Sequence, residues 1–260
     1  MPEMIRVRST LSILVLLLSP HAVAVAQAED AKPSAGADYH YGEIANTSNW
    51  PISAVGTVTV ALNFSSRRFC TGTLVGPKLV LTAAHCLFNG KQLVQSGNVR
   101  FLDALNRGVP AAYSVAERLV VSNEFTPGPW SKELAANDWA VIVLKDALPM
   151  KPVPVKTIAR EQLRALSQSG SVMQVGYGIE RRYLPSVVRE CRVNEGPDDR
   201  TFIFRCLTNQ GYSGAPIIAD IDGVPFVIGI GSGGSKTERL GMACSARQFQ
   251  KTIATLTQSE

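Results

Sequence analysis

Of the chain's three histidines, only His85 stands in an apolar, fold-forming stretch, Thr82-Ala83-Ala84-His85-Cys86. His21 lies in an export-like N-terminus and His40 in a polar segment. A body with one histidine is not built around a His-rich metal cluster. An imidazole titrates near neutral pH, so the chemistry it suits is proton transfer. Two partners for it follow in order. One is an acid heading an apolar run, Asn137-Asp138-Trp139-Ala140-Val141; the other is a serine in a glycine-flanked turn, Gly211-Tyr212-Ser213-Gly214-Ala215-Pro216. Histidine, aspartate and serine together suggest a hydrolase in which a base activates a hydroxyl nucleophile.

Taken singly, each has a bland explanation. A histidine beside a cysteine is often only a satisfied polar residue. Asn-Asp before a strand is commonly a turn, and so is Gly-x-Ser-Gly. The order of all three, with Cys86 beside the histidine and Cys70 shortly before it, is what argues for a site.

The surrounding elements are those of an exported all-β protein. Arg6 and Arg8, the apolar run Leu11–Leu18 and the small-residue stretch ending Ala26-Gln27-Ala28 read as a cleavable signal over residues 1–28. The run is too short for a membrane span, which needs about 20 apolar residues. Stable membrane insertion after cleavage is therefore not expected, and the protein should be periplasmic or secreted. Residues 29–50 are polar and read as a leader or propeptide. The formal charge of +5 is too small to argue for nucleic acid. Five cysteines in an exported chain suggest disulfides. Cys70 and Cys86, and Cys191 and Cys206, lie at loop-closing separations that would each contribute about 3 kcal/mol. Cys244 is then the odd one: a buried small hydrophobe by default, or a sign of intermolecular or different pairing.

From Trp50, short apolar runs alternate with turn residues. Strands are expected over 57–62, 78–82, 98–102, 115–121 and 139–144. After the proline-rich link Leu148–Pro154, a second set is expected over 172–177, 187–193, 201–206, 215–219 and 224–229. This divides the body into residues 51–150, carrying His85 and Asp138, and 151–260, carrying Ser213. Phe249, Ile253 and Leu256 at helical spacing, with Ser245 as N-cap, predict a closing helix.

On these motifs the chain resembles the chymotrypsin-like (trypsin-fold) serine peptidases over roughly residues 51–257. The match is strongest in Phe69–Val75, Val80–Cys86, Asn137–Ala140 and Gly211–Pro216. The overall character is that of a bacterial secreted member near the glutamyl endopeptidases. The resemblance implies two packed antiparallel β-barrels with the site between them, a Cys70–Cys86 disulfide, no cofactor and no metal, a protein or peptide substrate, and a monomer. Ser213 would be the nucleophile, His85 the base and then acid, and Asp138 the group that orients the ring. The N–H groups of Gly211 and Ser213 would form the oxyanion hole, and Ser232 would bond the aspartate. Gly231–Gly233 would pair with the substrate backbone as an added strand.

Two departures matter. Tyr212 stands where animal digestive members carry an aspartate that captures a new N-terminal amine, so that ion-pair switch is absent. Leu207 falls at the pocket floor, where trypsin-like members carry aspartate, so a Lys or Arg preference loses its usual support. Thr208 fits the glutamyl pattern, but Gly231 replaces its histidine. With Gln210 among the lining residues, the pocket is expected to take a medium apolar residue rather than glutamate. Two other readings compete. A catalytically silent two-barrel binder of the cell envelope is kept alive by Tyr212, whose ring would fill or distort the oxyanion turn. An α/β-fold esterase is disfavoured, because it requires serine before acid before histidine and alternating helices.

Overall fold

The computed structural model describes residues 42–235 and 240–259. The signal read at 1–28 and the leader as far as residue 41 lie outside the described residues. The polar reading of residues 42–50 needs correcting. Glu43–Ile44 (β1) pairs with Ser186–Val188, and Ala45 is buried against Val187 and Tyr177. This stretch is an edge strand of the fold, hidden from sequence reading because a two-residue strand has no period.

The first half closes on itself. Val55–Ala61 (β2), Arg67–Gly76 (β3) and Leu79–Thr82 (β4) are followed by the small hairpin Phe88–Asn89 (β5) and Gln92–Leu93 (β6). Val99–Asp103 (β7), Ala112–Val121 (β8) and, after the helix Lys132–Asn137 (α1), Ala140–Leu144 (β9) complete the set. These form a closed barrel in the order β2-β3-β4-β9-β8-β7. Its interior holds Val58, Val60, Leu74, Val80, Phe101 and Ile142, all fully buried. Each such side chain contributes about 1.5–3 kcal/mol, and closure leaves no unpaired edge.

The link then runs extended between the two halves. Val153 N–H donates to Leu74 O of the barrel, while Lys156 N–H and Pro154 O bond Val227 on the other side. After helix Arg160–Ser169 (α2) come Val172–Gly176 (β10), Ser186–Val188 (β11), Arg192–Glu195 (β12) and Thr201–Arg205 (β13). Pro216–Ile221 (β14), Val224–Ser235 (β15) and Leu240–Ser245 (β16) follow. They build an eight-stranded sheet, β1-β11-β10-β14-β15-β16-β13-β12, antiparallel throughout and curled over Val172, Phe202, Ile217, Ile228 and Ala243. The fold is therefore the expected all-β, chymotrypsin-like one, with a closed barrel and a half-barrel sheet.

The segment 187–193, read as one strand, is two. Glu190 sits at φ 57°, and the turn there sends β11 to one side of the sheet and β12 to the other. The β12–β13 register sets Arg192 against Arg205, which brings the next residues out, Cys191 and Cys206, together in a disulfide. Cys70 and Cys86 form the second. Cys244 is free and buried, and burial pushes its thiol well above the ordinary range, as suits an inert small side chain. At the C-terminus Ser245 Oγ accepts from Arg247 N–H, starting a 3-10 turn before helix Gln250–Ser259 (α3). Ile253 and Phe249 carry that helix into the barrel's core cluster beside Trp139.

One buried charge has a pH consequence. Asp103, at the end of β7, is fully enclosed, and burial pushes its carboxyl up to about 7 against the opposing Ala104 N–H. Since this folded value lies above the ordinary 3.8, the protonated acid is the better-tolerated form in the fold. Its contribution to stability is whole below about pH 4 and is lost as pH rises through about 7. Asp103→Asn is therefore expected to flatten the fall in unfolding free energy between about pH 4 and 7, measured by urea denaturation at each pH.

Candidate active site

Strand pairing brings the first two residues together. β4 and β9 are antiparallel, with Thr82 opposite Ala140. The chain leaving β4 turns at once into a 3-10 helix, Ala84–Leu87, carrying His85. The chain entering β9 comes from α1, N-capped by Ser131 Oγ on Leu134 N–H, and Asp138 is the residue that caps its C-terminal end. Exit and entrance lie at the same end of the barrel. There His85 Nδ1 donates to Asp138 Oδ2 at 2.7 Å, and the His85 backbone N–H donates to Oδ1 at 2.9 Å. Ser232 Oγ donates to Oδ2 at 2.5 Å. Asp138 is fully buried, and three donors answer the desolvation cost of its carboxylate. With Nδ1 as donor, Nε2 is the basic nitrogen, and it lies 3.9 Å from Cys86 Sγ.

The serine comes from the sheet. Gly214 N–H bonds Gly231 O and Gly231 N–H bonds Ala215 O, anchoring the turn ahead of β14 to the middle of β15. Thr71 N–H donates to Ser213 O, and Thr82 Oγ1 donates to Thr71 O. Sheet and barrel thus meet directly beneath the turn. Gly214, at φ 78°, is what permits this: a Cβ there would come within 2.4 Å of both Thr71 O and Thr82 Oγ1. Ser213, Gly211 and His85 then line one cleft of about 410 Å³.

The same turn aims two amides. Gln210 O accepts from Ile179 N–H and Tyr212 O accepts from Ala215 N–H. In a planar trans peptide the N–H points away from its carbonyl, so the Gly211 and Ser213 amides face the opposite way. Among the described residues neither has an acceptor. Thr71 Oγ1 fastens the arrangement, donating to Gly211 O and accepting from Tyr177 N–H. Gly211 is at φ 95°, and a Cβ there would sit 2.2 Å from Tyr177 O, so only glycine fits.

Tyr212 does not distort this turn. Its ring is buried and its hydroxyl donates to Glu180 Oε1 at 2.7 Å, while Asn209 Nδ2 donates to Oε2. Burial foremost, then Glu180, raises the phenol above its ordinary range. Room for the ring comes from Gly176 and Gly178, where a Cβ would meet it at 2.7 and 2.5 Å. Sequence reading missed Glu180, Thr71 and this glycine pair, since each acts across the fold.

The expected specificity residues divide. Leu207, Thr208, Gly231, Ser232 and Gly233 line a small pocket of about 30 Å³ beside Ser213; Gln210 lines the larger cleft instead. Leu207 N–H is held by Gln174 Oε1, and Gln174 Nε2 lies buried below Gly231 without a partner among the described residues. Phe204 also lines this pocket, with its ring 3.5 Å from where a Cβ on Gly231 would stand. Thr208 Oγ1 donates to Ser235 O. Trp130, also missed, lies over the Gly233 backbone. Cys70, His85 and Cys86 are near enough to share a metal, but both sulfurs are joined in the disulfide.

A family model described as Trypsin matches residues 44–253, most of the chain. The chain belongs to the trypsin family. As a member it is a serine endopeptidase. Solved structures agree in fold. A Glu endopeptidase in complex with MPD is 16% identical with a TM-score of 0.65 and aligns over 86% of this chain and 99% of its own. The thermostable serine protease AL20 from an extremophilic microorganism is 17% identical, TM-score 0.63, over 80% and 98%. The VesB protease of Vibrio cholerae is 19% identical, TM-score 0.65, over 84% and 68%. At these identities the likeness speaks for the fold alone, and this trypsin-family chain's choice of bond must be argued from its own residues.

Proposed function

We propose that this is an exported endopeptidase that cuts protein or peptide chains through Ser213, His85 and Asp138, with an acyl-enzyme intermediate. The observation that carries the reading is Asp138, buried and holding His85 by both its ring and its backbone. With Nδ1 so held, Nε2 takes the Ser213 proton as the hydroxyl attacks the carbonyl carbon. The carbonyl oxygen becomes an oxyanion facing the Gly211 and Ser213 amides. They have no other acceptor to leave, so little reorganisation opposes the step. His85 then protonates the leaving amine, and water repeats the sequence on the acyl-enzyme.

Tyr212 replaces the missing aspartate. Its bond to Glu180, shared with Asn209, ties the oxyanion turn to the loop after β10 without a new N-terminal amine. A binder lacking catalysis, the competing reading, finds no support in a tyrosine so accommodated. Tyr212→Phe is expected to lower kcat about tenfold, some 1.4 kcal/mol, with KM little changed, read from steady-state kinetics. The pocket beside Ser213, small and lined by Phe204 and Leu207, favours a small apolar residue before the cut bond. The N-terminal signal pattern and two disulfides support export, and a monomer suffices for a site held by one chain.

The test is digestion of a proteome-derived peptide library by disulfide-intact protein, with cut bonds read by mass spectrometry. Cuts clustered after small apolar residues support the proposal. Absence of cuts from folded protein, with and without residues 29–41, contradicts it.

A further inference from the structure

The larger cleft has a chemistry of its own. It extends from Ser213 to the side away from the Gly231–Gly233 strand and runs past the Cys70–Cys86 disulfide. The Gly231–Gly233 strand is the one proposed to pair with the substrate before the cut bond, and His85, the proposed donor to the leaving amine, lines this cleft on the other side of Ser213. The chain released first from a cut substrate therefore lies here. Arg67 and Arg68 from β3 and Arg182 from the loop after β10 line this space, and among the described residues none that lines it is acidic.

The three arginines are not equivalent. Arg68 Nη1 donates to the carbonyls of His85, Cys86 and Phe88, so it secures the histidine loop while its charge remains at the cleft. The Arg182 guanidinium lies over the Phe69 ring, 5.3 Å from its centroid, which orients its fork without neutralising it. Arg67 is exposed. None of the three joins an ion pair among the described residues. The nearby acid, Glu180, is turned inward to Tyr212 and Asn209. The result is a concave cationic surface, with an aromatic floor, on the leaving-group side.

We propose that this surface is a subsite for acidic residues, so that substrates carry Asp or Glu within the first three positions after the cut bond, with Arg182 and Arg67 determining that choice. An arginine fork pairs a carboxylate through two parallel hydrogen bonds, and repels lysine at the same place. The inference rests on the peptidase reading of Ser213 and deepens it.

The experiment takes one cleaved sequence and varies only the three residues after the bond, to acidic, alanine or lysine forms, beside a small ester that lacks that side altogether. Wild type should show kcat/KM about fivefold higher for acidic than for alanine peptides, roughly 1 kcal/mol. Lysine should be lower still, and the spread should narrow in 0.5 M salt, where the screening length falls to about 4 Å. Arg182→Gln should reduce the acidic-to-alanine ratio, and Arg182→Glu should move the preference toward lysine, a gain that misfolding does not produce. Equal rates on all three peptides, from protein that hydrolyses the ester, would overturn the subsite. Failure on the ester as well would overturn the Ser213 reading beneath it.

Discussion

Ser213→Ala is expected to lower kcat by about 10⁶-fold on any peptide the wild type cuts. In the proposed mechanism this hydroxyl is the group that forms the covalent bond. His85 without it has no proton to take, so removing the serine costs as much as removing the machinery around it. What remains, roughly 10³-fold over water, would come from binding and the oxyanion amides. The same change should hardly touch folding. Ser213 Oγ makes no hydrogen bond among the described residues, and the turn is held by backbone bonds through Ser213 O and Gly214 N–H. Steady-state rates should collapse while the urea midpoint moves by no more than about 0.5 kcal/mol in stability. A residual activity within a hundredfold of wild type would mean that another nucleophile operates.

Asp138→Asn should cost about 10⁴-fold in kcat, for a different reason. The carboxylate offers only acceptors, and three donors use them: the His85 ring, the His85 backbone N–H and Ser232 Oγ. An amide keeps one oxygen and presents N–H groups on its other side. If the oxygen stays on the backbone N–H, its nitrogen faces Nδ1 and donates to it. The ring then carries its proton on Nε2, where it cannot accept one from Ser213. Ser232 loses its acceptor too, and an unsatisfied buried group costs about 1–3 kcal/mol. Both a kinetic and a stability loss are expected, and pairing Asp138→Asn with Ser232→Ala should recover part of the stability but not the rate.

The residues proposed as catalytic could be picked out as candidates because each sits in a short motif whose neighbours are local: Ala-Ala-His-Cys, Asn-Asp-Trp-Ala, Gly-x-Ser-Gly. Strands such as β2 and β9 were legible from their apolar runs. What escaped depends on contacts far apart in sequence. β3 mixes Arg67, Arg68, Cys70, Gly72 and Thr73 and shows no period, yet it supplies both Thr71 beneath the oxyanion turn and two arginines of the cleft. β16 reads weakly alone and is defined by its neighbours β15 and β13. The split of residues 187–193 follows from the turn at Glu190, which apolar content does not announce. The polarity of residues 42–50 concealed an edge strand. Tyr212 looked like a defect until Glu180, 32 residues away, and the two glycines that admit its ring stood beside it. Function in this fold is written locally, and its support is written across the sheet.

The most direct test of the account is covalent labelling of folded, disulfide-intact protein by an organophosphonate, with the adduct located by peptide mass spectrometry. The account predicts one adduct, on Ser213, abolished in His85→Ala and strongly slowed in Asp138→Asn. No adduct on folded protein, or one equally fast without His85, would contradict it.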